Sequence, residues 1–324
     1  MNRVLDYIGE HLDEELSLAR LSEVGCFSRF HFHRIFQAVT GETLNNHVRR
    51  VRLERAASLM KASPRKRITD VAIEAGFAGT AEFSRAFRNH FDRTASSWDR
   101  RSPLKKSKIC KAPGTLCFYD LEELKNWKAA ANVRVSRLGA FRYVYIRVFE
   151  PYGNTRLVDA YHALIGWLAE RGTDVRDVVV IGMSLDDPSV TPSENCRYDL
   201  GVAFPKQTGP KRTMPEQIGG DGMLGEIVRS RRRGSGDVRR PDANECGPRG
   251  FSIRDLESQE IATIHCVGDL GHVDRAWHYL YRIWLPSVAL EPADLPAMEI
   301  FVRLPEEIGW ETFDLQACIP VARL

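Results

Sequence analysis

Apolar side chains recur every three to four positions through the first hundred residues, which is the period of an amphipathic helix. The pattern predicts helices over Val4–Leu12, Ser17–Val24, Ser28–Val39 and Thr43–Ala62, and then a helical pair between Ile68 and Phe91. Serine begins two of these stretches, as expected of an N-cap residue. The first third of the chain is therefore predicted to be all α-helical.

The same stretch contains an internal repeat. Three matched pairs lie fifty positions apart and three lie fifty-one apart: Leu18/Ile68, Leu21/Val71, Phe27/Phe77, and Phe32/Phe83, Arg34/Arg85, Phe36/Phe87. Each copy consists of a short apolar helix, a turn with glycine, and a second helix with an outward arginine. That is the pattern of a helix-turn-helix, present twice.

A predicted helix over Thr43–Ala62 joins the two copies. Twenty helical residues span about 30 Å, close to the ~34 Å of one DNA turn. The two units are therefore expected to place their second helices in successive major-groove segments on one face of the DNA.

Beyond residue 132 the pattern changes to short strands with single helices between them. The first set comprises strands near Val133–Val148, a helix over Thr155–Arg171, and strands over Val178–Ile181 and Tyr198–Phe204. The same order returns between Phe251 and Val321, with Gly153 matching Gly271 at 118 positions and Trp167 matching Trp284 at 117. This predicts an α+β domain of two pseudo-symmetric strand-helix-strand-strand halves.

These patterns predict a multidomain chain. Residues 1–101 are assigned to the helical domain, 102–131 to a linker and 132–324 to the α+β domain, with a disordered insert over 206–250 that is rich in Gly, Pro and Arg. Residues 1–111 carry 21 Lys and Arg against 13 Asp and Glu, whereas residues 112–324 carry 25 against 30. A basic half beside an acidic half indicates a polyanionic partner for the first.

Composition narrows the class further. The seven cysteines form no C-x-x-C pair, which favours reduced thiols over a disulfide framework or a zinc site. We find neither a signal-peptide core nor an apolar run of membrane-spanning length. We expect a soluble, cytoplasmic protein without a metal, a cofactor or a membrane partner.

The second helix of each repeat carries the candidate DNA-reading residues, because the start of such a helix reaches base edges in the major groove. They are Arg29, Phe30, His33 and Arg34 in the first unit, and Thr80, Ala81, Glu82 and Arg85 in the second. Phosphate contacts are assigned to Arg49, Arg50, Arg52, Arg88 and Arg101. Any one arginine alone is as well explained as a solvated surface charge, but the repeated placement favours a shared role. Glu82 repels phosphates unless it meets a cytosine amino group or a neighbouring arginine.

These stretches resemble the DNA-binding domain of the AraC/XylS family. The matching segments are Ser28–Phe36, Thr40–Thr43, Arg52–Ala56, Val71–Ala72, Gly76–Phe77 and Phe83–Phe87. Leu44 stands where the family often has proline, and Asp92 stands where glycine is usual. The resemblance implies a sequence-specific transcriptional regulator that binds double-stranded DNA through two helix-turn-helix units. Docking of this domain on DNA or on RNA polymerase, biased by a ligand of the second domain, is a separate hypothesis.

The second domain resembles the GyrI-like effector-binding domain. The matching segments are Glu150–Gly153, Gly182–Pro188, Trp284–Pro286 and Pro296–Phe301, with Glu150 in place of the usual Gly and Phe301 in place of the usual Tyr. The resemblance implies a cleft between the halves that binds a small organic effector, often a hydrophobic cation, and that holds an acidic residue. Glu299 occupies the position of that residue.

A carboxylate among aromatic faces suits a delocalised cation, through charge and cation–π attraction. Tyr145, Tyr152, Trp284 and Phe301 are the candidate wall residues. Two alternatives stay open at this point: the aromatic residues can be ordinary core, and Glu299 can be a solvated strand residue. A third possibility is that the domain is not a ligand sensor and only recruits protein partners.

An enzymatic function is the remaining alternative, since relatives of this fold include hydrolases. Glu150, Glu299 and His265 are the residues that could form an acid/base pair. The sequence contains no G-x-S-x-G elbow, H-E-x-x-H motif or P-loop. We therefore predict a regulator and assign no catalytic residue.

Overall fold

The computed structural model describes residues 1–98 except 64, residues 132–205 except 189, and residues 250–323 except 294, together with residues 124, 126, 127, 223, 224 and 227. The predicted linker and the predicted insert therefore lie almost entirely outside the described residues, as does Arg101. The chain divides into two compact units. The first contains residues 1–111 and 186–195, and the second contains residues 112–185 and 196–324.

The first unit is helical, as predicted. Its helices are α1 (Asn2–Glu10), α2 (Leu18–Val24), α3 (Arg29–Thr40), α4 (Leu44–Ala62), α5 (Ile68–Glu74) and α6 (Thr80–Phe91). The Ser17 side chain accepts a hydrogen bond from the Arg20 amide at 3.3 Å, which confirms it as the N-cap of α2. Gly41 ends α3 in the left-handed conformation, with φ of 75°. Asp92 adopts the same conformation after α6, where the resembled family has glycine.

The core of the first unit follows the sequence repeat. Phe32 and Phe36 of α3 and their counterparts Phe83 and Phe87 of α6 are all fully buried. Consecutive rings in each pair lie 5.7 Å and 5.3 Å apart. The long helix α4 contributes a buried apolar face to the cluster that contains α6. The periodicity read from the sequence is thus the periodicity of burial.

The second unit is built on one antiparallel sheet that contains strands from both halves. Its strands are β1 (Arg134–Leu138), β2 (Phe141–Phe149), β3 (Val179–Ser184), β4 (Arg197–Pro205), β5 (Phe251–Leu256), β6 (Gln259–Gly268), β7 (Leu290–Pro292), β8 (Ala297–Arg303) and β9 (Phe313–Arg323). The main order is β1-β6-β9-β8-β3-β4-β2-β5, and β7 pairs with β9. The equivalent strands of the two halves are β1 and β5, β2 and β6, β3 and β8, and β4 and β9. Exchanging the members of each pair reverses the strand order, which confirms the predicted pseudo-symmetry. The first strand of each half pairs with a strand of the other half: β1 pairs with β6, and β5 pairs with β2.

Helices α7 (Arg156–Glu170), α8 (Leu270–Tyr279) and α9 (Pro305–Ile308) complete the described part of the second unit. Helix α7 packs on the half that contains Val144 and Leu200, and α8 packs on the half that contains Ile264. The opposite sheet face forms a separate buried cluster that includes Tyr145 and Ile181. Strand alternation thus sends neighbouring side chains into different cores.

Gly76 gives a stability prediction for the first unit. A Cβ atom at Gly76 would lie 1.8 Å from the Leu12 carbonyl oxygen, and the residue has φ of 84°. We expect Gly76→Ala to destabilise the unit by at least about 2 kcal/mol, since both the clash and the left-handed backbone oppose a side chain. Calorimetry on the full-length chain measures the effect as a lower melting temperature.

Two matched controls separate the causes. Gly41 has positive φ but open space around its Cβ position, so Gly41→Ala should cost about 1 kcal/mol. Gly9 lies inside α1 with open space and ordinary φ, so alanine there should be neutral or stabilising. Equal melting temperatures for the Gly76 and Gly41 variants would contradict the close approach of Gly76 to Leu12.

Candidate nucleic-acid interface and ligand site

Helix α3 presents a polar face to solvent. With Phe32 and Phe36 buried, the exposed positions include Arg29, His33 and Arg34, as predicted. Phe30 lies on the same helix, but its side chain is outside the described set. The exposed residues near the start of α3 offer guanidinium and imidazole donors, the groups that pair with base edges and phosphates.

Helix α6 repeats this arrangement. Its predicted reading residues Thr80, Ala81, Glu82 and Arg85 are exposed at the start of the helix, and Arg88 is exposed one turn further on. Phe83 and Phe87 hold the opposite face in the core. The two helices therefore present equivalent surfaces, as expected from the repeat.

Arg52 of α4 has a structural role, which corrects the prediction of a phosphate contact. Its Nε donates to the Leu12 carbonyl oxygen at 2.8 Å, and its Nη2 donates to the Glu14 carbonyl oxygen at 2.8 Å. Burial lowers the pKa of Arg52, and the nearby charges of Glu82 and Asp13 oppose that shift. Arg52 is thus the neighbouring arginine that Glu82 requires in a basic surface.

Arg50 is also a structural residue, because it is buried in a carboxylate network. Its guanidinium donates to Glu42 at 2.6 Å and to Glu54 at 2.8 Å, and Nδ1 of His47 lies 2.8 Å from Glu42. The sequence prediction treated Arg50 like its neighbour Arg49, but only Arg49 is exposed. Arginines one position apart on a helix point about 100° apart, so one enters the core and the other faces water.

The network shifts the pKa values of its two acids in opposite directions. Burial alone would raise the pKa of Glu42, but hydrogen bonds from His47 and Arg50 outweigh it and lower the value to about 2. Burial dominates at Glu54 and, despite the charge of Arg50, raises its pKa to about 7. Glu42 is therefore ionised throughout the neutral range, and Glu54 changes charge within it.

Glu299 lies on β8 at the centre of the sheet in the second unit. Its partners across the two neighbouring strands are Gly182 of β3 and Ala317 of β9. The Tyr198 hydroxyl donates to one carboxylate oxygen at 2.5 Å, and the Trp277 indole Nε1–H donates to the other at 3.1 Å. Burial raises the pKa of Glu299, and these two donors oppose the shift.

Gly182 makes the Tyr198–Glu299 hydrogen bond possible. Tyr198 lies on β4, two strands away from Glu299, so its ring must pass over β3 to reach the carboxylate. A Cβ atom at Gly182 would lie 1.7 Å from the Tyr198 hydroxyl oxygen. Gly182 is also the pseudo-symmetry counterpart of Glu299, at the 117-residue offset that relates Trp167 to Trp284. One half supplies the acid and the other supplies the space for its partner.

The aromatic wall of the site differs in part from the prediction. Phe301 lies on the same sheet face as Glu299 and packs against the cores of both halves. Tyr152 lies near enough to Tyr198 to contribute to its raised pKa, after burial and Glu299. Trp284 packs on the core beneath α8.

Tyr145 does not belong to this wall. It pairs with Gly201 in a sheet row that continues to Ile181 and Ile300, and this row faces away from Glu299. There Tyr145 stacks on Tyr143, with the ring centroids 5.2 Å apart. The presence of an aromatic residue on a strand does not say which face of the sheet it occupies, because a shift of one residue changes the face.

Two residues that hold Glu299 were missed from the sequence. Trp277 lies seven positions before Trp284, which is two turns along the same helical segment, so the spacing alone could have indicated it. Tyr198 could not have been found that way, because its contact depends on strand order and on the glycine at position 182.

The residues of the enzymatic alternative do not assemble into an acid/base pair. His265 pairs with Gln316, whose row continues to Ile300, so it faces away from Glu299 and contacts Asp314 at 2.8 Å. The Glu150 carboxylate binds Arg156 at 2.6 Å. Within the described ranges, we find neither a cluster of three metal-ligating side chains nor a helix long and apolar enough to cross a membrane.

Comparison with known proteins agrees with this two-part architecture. Residues 131–322 match the GyrI-like small molecule binding domain, and residues 21–101 match a helix-turn-helix domain. The regulatory protein SoxS of Salmonella typhimurium (strain LT2) is 34% identical over 98 residues, which cover 30% of this chain and 91% of SoxS. The chain is an AraC-family DNA-binding transcriptional regulator with a GyrI-like domain.

Two further relatives show how far the likeness extends. The right origin-binding protein of Escherichia coli (strain K12) is 33% identical over 100 residues, covering 31% of this chain and 34% of that protein. The solved C-terminal domain of EcmrR covers 60% of this chain and 98% of its own length, at 10% identity and a TM-score of 0.37. Likeness at that level supports no statement about the ligand.

The raised pKa of Glu54 predicts a pH dependence for this regulator. An acid whose pKa is higher in the folded state than in the unfolded state stabilises the fold at pH values below its unfolded-state pKa. This contribution is lost as the pH rises through the folded-state pKa. Between pH 4.5 and 8, we expect Glu54 to account for a loss of about 1–3 kcal/mol in the free energy of unfolding.

Calorimetry from pH 4.5 to 8 tests this by comparing Glu54→Gln with the wild type. The amide does not titrate, so the difference in melting temperature between the two proteins should change steadily in favour of the variant as the pH rises. Exposed Glu23→Gln is the control for loss of a carboxylate. Parallel pH profiles for the wild type and Glu54→Gln would show that Glu54 keeps an ordinary pKa.

Proposed function

We propose that this regulator reads DNA through α3 and α6 and binds a small hydrophobic cation at Glu299, so that the effector controls transcription. The observation that carries the effector proposal is the environment of Glu299. Its two oxygens are held by neutral donors, Tyr198 and Trp277, and burial raises its pKa. Ionising a carboxylate in such surroundings is costly unless a positive charge compensates it.

A bound cation would provide that charge. The Trp277 indole contacts the carboxylate, and Phe301 lies on the same sheet face as Glu299. Aromatic faces attract a delocalised cation. A phenylalanine at 301 offers a face without a hydroxyl, which suits an apolar cation better than a ligand that needs a hydrogen bond there. The proposed effector class is therefore an aromatic or lipophilic organic cation.

The proposed DNA interface rests on the repeated surfaces of α3 and α6. Helix α4 has 19 residues and a length of about 28 Å, which suits two reading helices one DNA turn apart. Arg34 and Arg85 occupy equivalent exposed positions and are proposed to contact bases. Arg49 and Arg88 are proposed to contact phosphates. The protein would act in the cytoplasm, where its DNA and its proposed partner RNA polymerase are present.

Alanine substitution tests the assignment of the reading helices. We expect Arg34→Ala and Arg85→Ala each to weaken binding to the preferred duplex by about 1–3 kcal/mol and to relax base preference at separate positions of the site. Binding titrations against a panel of single-base variants of the duplex measure both effects. Exposed Arg67→Ala, outside both helices, removes the same charge and should leave base preference unchanged. Unaltered preference in both reading-helix variants would show that these helices do not read the bases.

A titration with tetraphenylphosphonium tests the effector site. Binding next to Trp277 should quench tryptophan fluorescence, and the affinity should rise with pH through the raised pKa of Glu299, because only the ionised form attracts the cation. Glu299→Gln should weaken binding about tenfold or more and remove the pH dependence. Exposed Glu260→Gln is the charge-matched control.

Three other outcomes would change the proposal. Equal affinity of the wild type and Glu299→Gln would show that the carboxylate does not bind the cation. Failure of any organic cation to raise the melting temperature would favour a domain that acts only through protein partners. Turnover of an ester by the wild type but not by Glu299→Gln would favour hydrolase activity.

A further inference from the structure

Residues 186–195 connect β3 to β4, two strands of the second unit, yet they belong to the first unit by their contacts. The segment is a compact turn. The amides of Val190 and Thr191 both donate to the Asp187 carbonyl oxygen, at 2.9 Å and 2.7 Å. These two hydrogen bonds form a turn within the segment.

Val190 is the apolar anchor of this segment. It is fully buried, in the same cluster as Leu53, Ala57 and Met60 of α4. Complete removal of its side chain from water stabilises this packing through the hydrophobic effect. The core of the DNA-binding unit is therefore completed by a residue more than ninety positions beyond its last helix.

Two acidic residues of the segment interact with charged residues on one face of α4. Asp187 pairs with Lys61 at 3.2 Å, and Asp186 lies close enough to Arg50 and Glu54 to shift both of their pKa values. Arg50, Glu54, Ala57 and Lys61 are spaced by four, three and four residues, so they form a single line along the helix. The segment thus lies along the helix that joins the two helix-turn-helix units.

The two strands that leave this segment carry the surroundings of Glu299. Strand β3 contributes Gly182, and β4 contributes Tyr198, which donates to the carboxylate. Only Met183, Ser184 and Leu185 separate Gly182 from the segment, and Cys196 and Arg197 separate Tyr198 from its other end. The main chain therefore runs from the acidic site into the core of the DNA-binding unit and back within a few residues.

We propose that residues 186–195 are a docking segment that couples occupancy of the Glu299 site to the DNA-binding unit. This inference rests on the proposed function. A cation that engages Glu299 competes with the Tyr198 hydroxyl, and a displaced Tyr198 moves the end of β4 next to Asn195. Because Val190 fixes the segment on α4, that movement changes the relative stability of two arrangements of the spacing helix, which is what coupling requires.

The test uses the full-length protein, tetraphenylphosphonium, and a duplex selected from retained genomic fragments. Three variants are compared with the wild type: Val190→Ala, which removes most of the anchor; Asp187→Lys, which reverses the partly exposed charge facing Lys61; and Glu194→Gln, an exposed control within the segment. Cation affinity comes from tryptophan quenching, and DNA affinity is measured with and without saturating cation.

In the wild type and Glu194→Gln, the cation should change DNA affinity about fivefold or more. In Val190→Ala and Asp187→Lys the ratio should fall towards one, while cation affinity stays within about twofold of the wild type. Cation binding with an unchanged ratio in both variants, or a ratio of one in the wild type, would overturn the coupling.

Hydrogen exchange separates this inference from the proposed function. By reciprocity, DNA binding should change exchange at the amides of β3 and β4 in the wild type and not in Val190→Ala, whether or not a cation is the effector. If tetraphenylphosphonium does not bind but DNA still alters these strands, the proposed effector fails and the coupling stands. If DNA leaves them unchanged in the wild type, the coupling fails even where the cation binds.

Discussion

The second unit depends on one steric condition, the absence of a side chain at residue 182. The Tyr198 ring crosses β3 only because Gly182 leaves room for it, and the hydroxyl then satisfies one oxygen of Glu299. A partly buried carboxylate without donors would be unfavourable at the centre of a sheet. The pseudo-symmetry places this glycine and this acid in equivalent positions, so the two halves differ where β3 and β8 pair.

The first unit is organised around α4, whose faces make different kinds of contact. Arg52 ties it to the carbonyl groups that follow α1, and Arg50 lies buried between Glu42 and Glu54. These two arginines hold α4 against the residues around it, and only Arg50 is fully enclosed. Arg49 remains on the surface, where a cation can meet DNA. Basic residues on one helix thus divide between structural contacts and the exposed surface according to the direction in which they point.

Sequence patterns predicted the helices of the first unit well, because its core repeats with the period of a helix and its second copy confirms the first. They also predicted the equivalence of the two halves of the second unit, and the family resemblance pointed to Glu299, whose role as a ligand residue stays a prediction. They failed where the outcome depended on tertiary geometry. Nothing local distinguishes buried Arg50 from exposed Arg49, and the face on which Tyr145 lies follows from strand parity and strand order. The position of Val190 could not be predicted, since its contacts are with residues far away in the chain.

The exchange of first strands between the halves has a consequence for synthesis. Strand β1 pairs with β6, so about 120 residues must leave the ribosome before β1 finds its neighbour. Pairings of such long sequence separation form slowly. The helical unit is made mostly of local contacts and emerges before the sheet, so its helices can form while Val190 is still untranslated. A nascent chain can therefore present its helix-turn-helix units before the GyrI-like domain has formed.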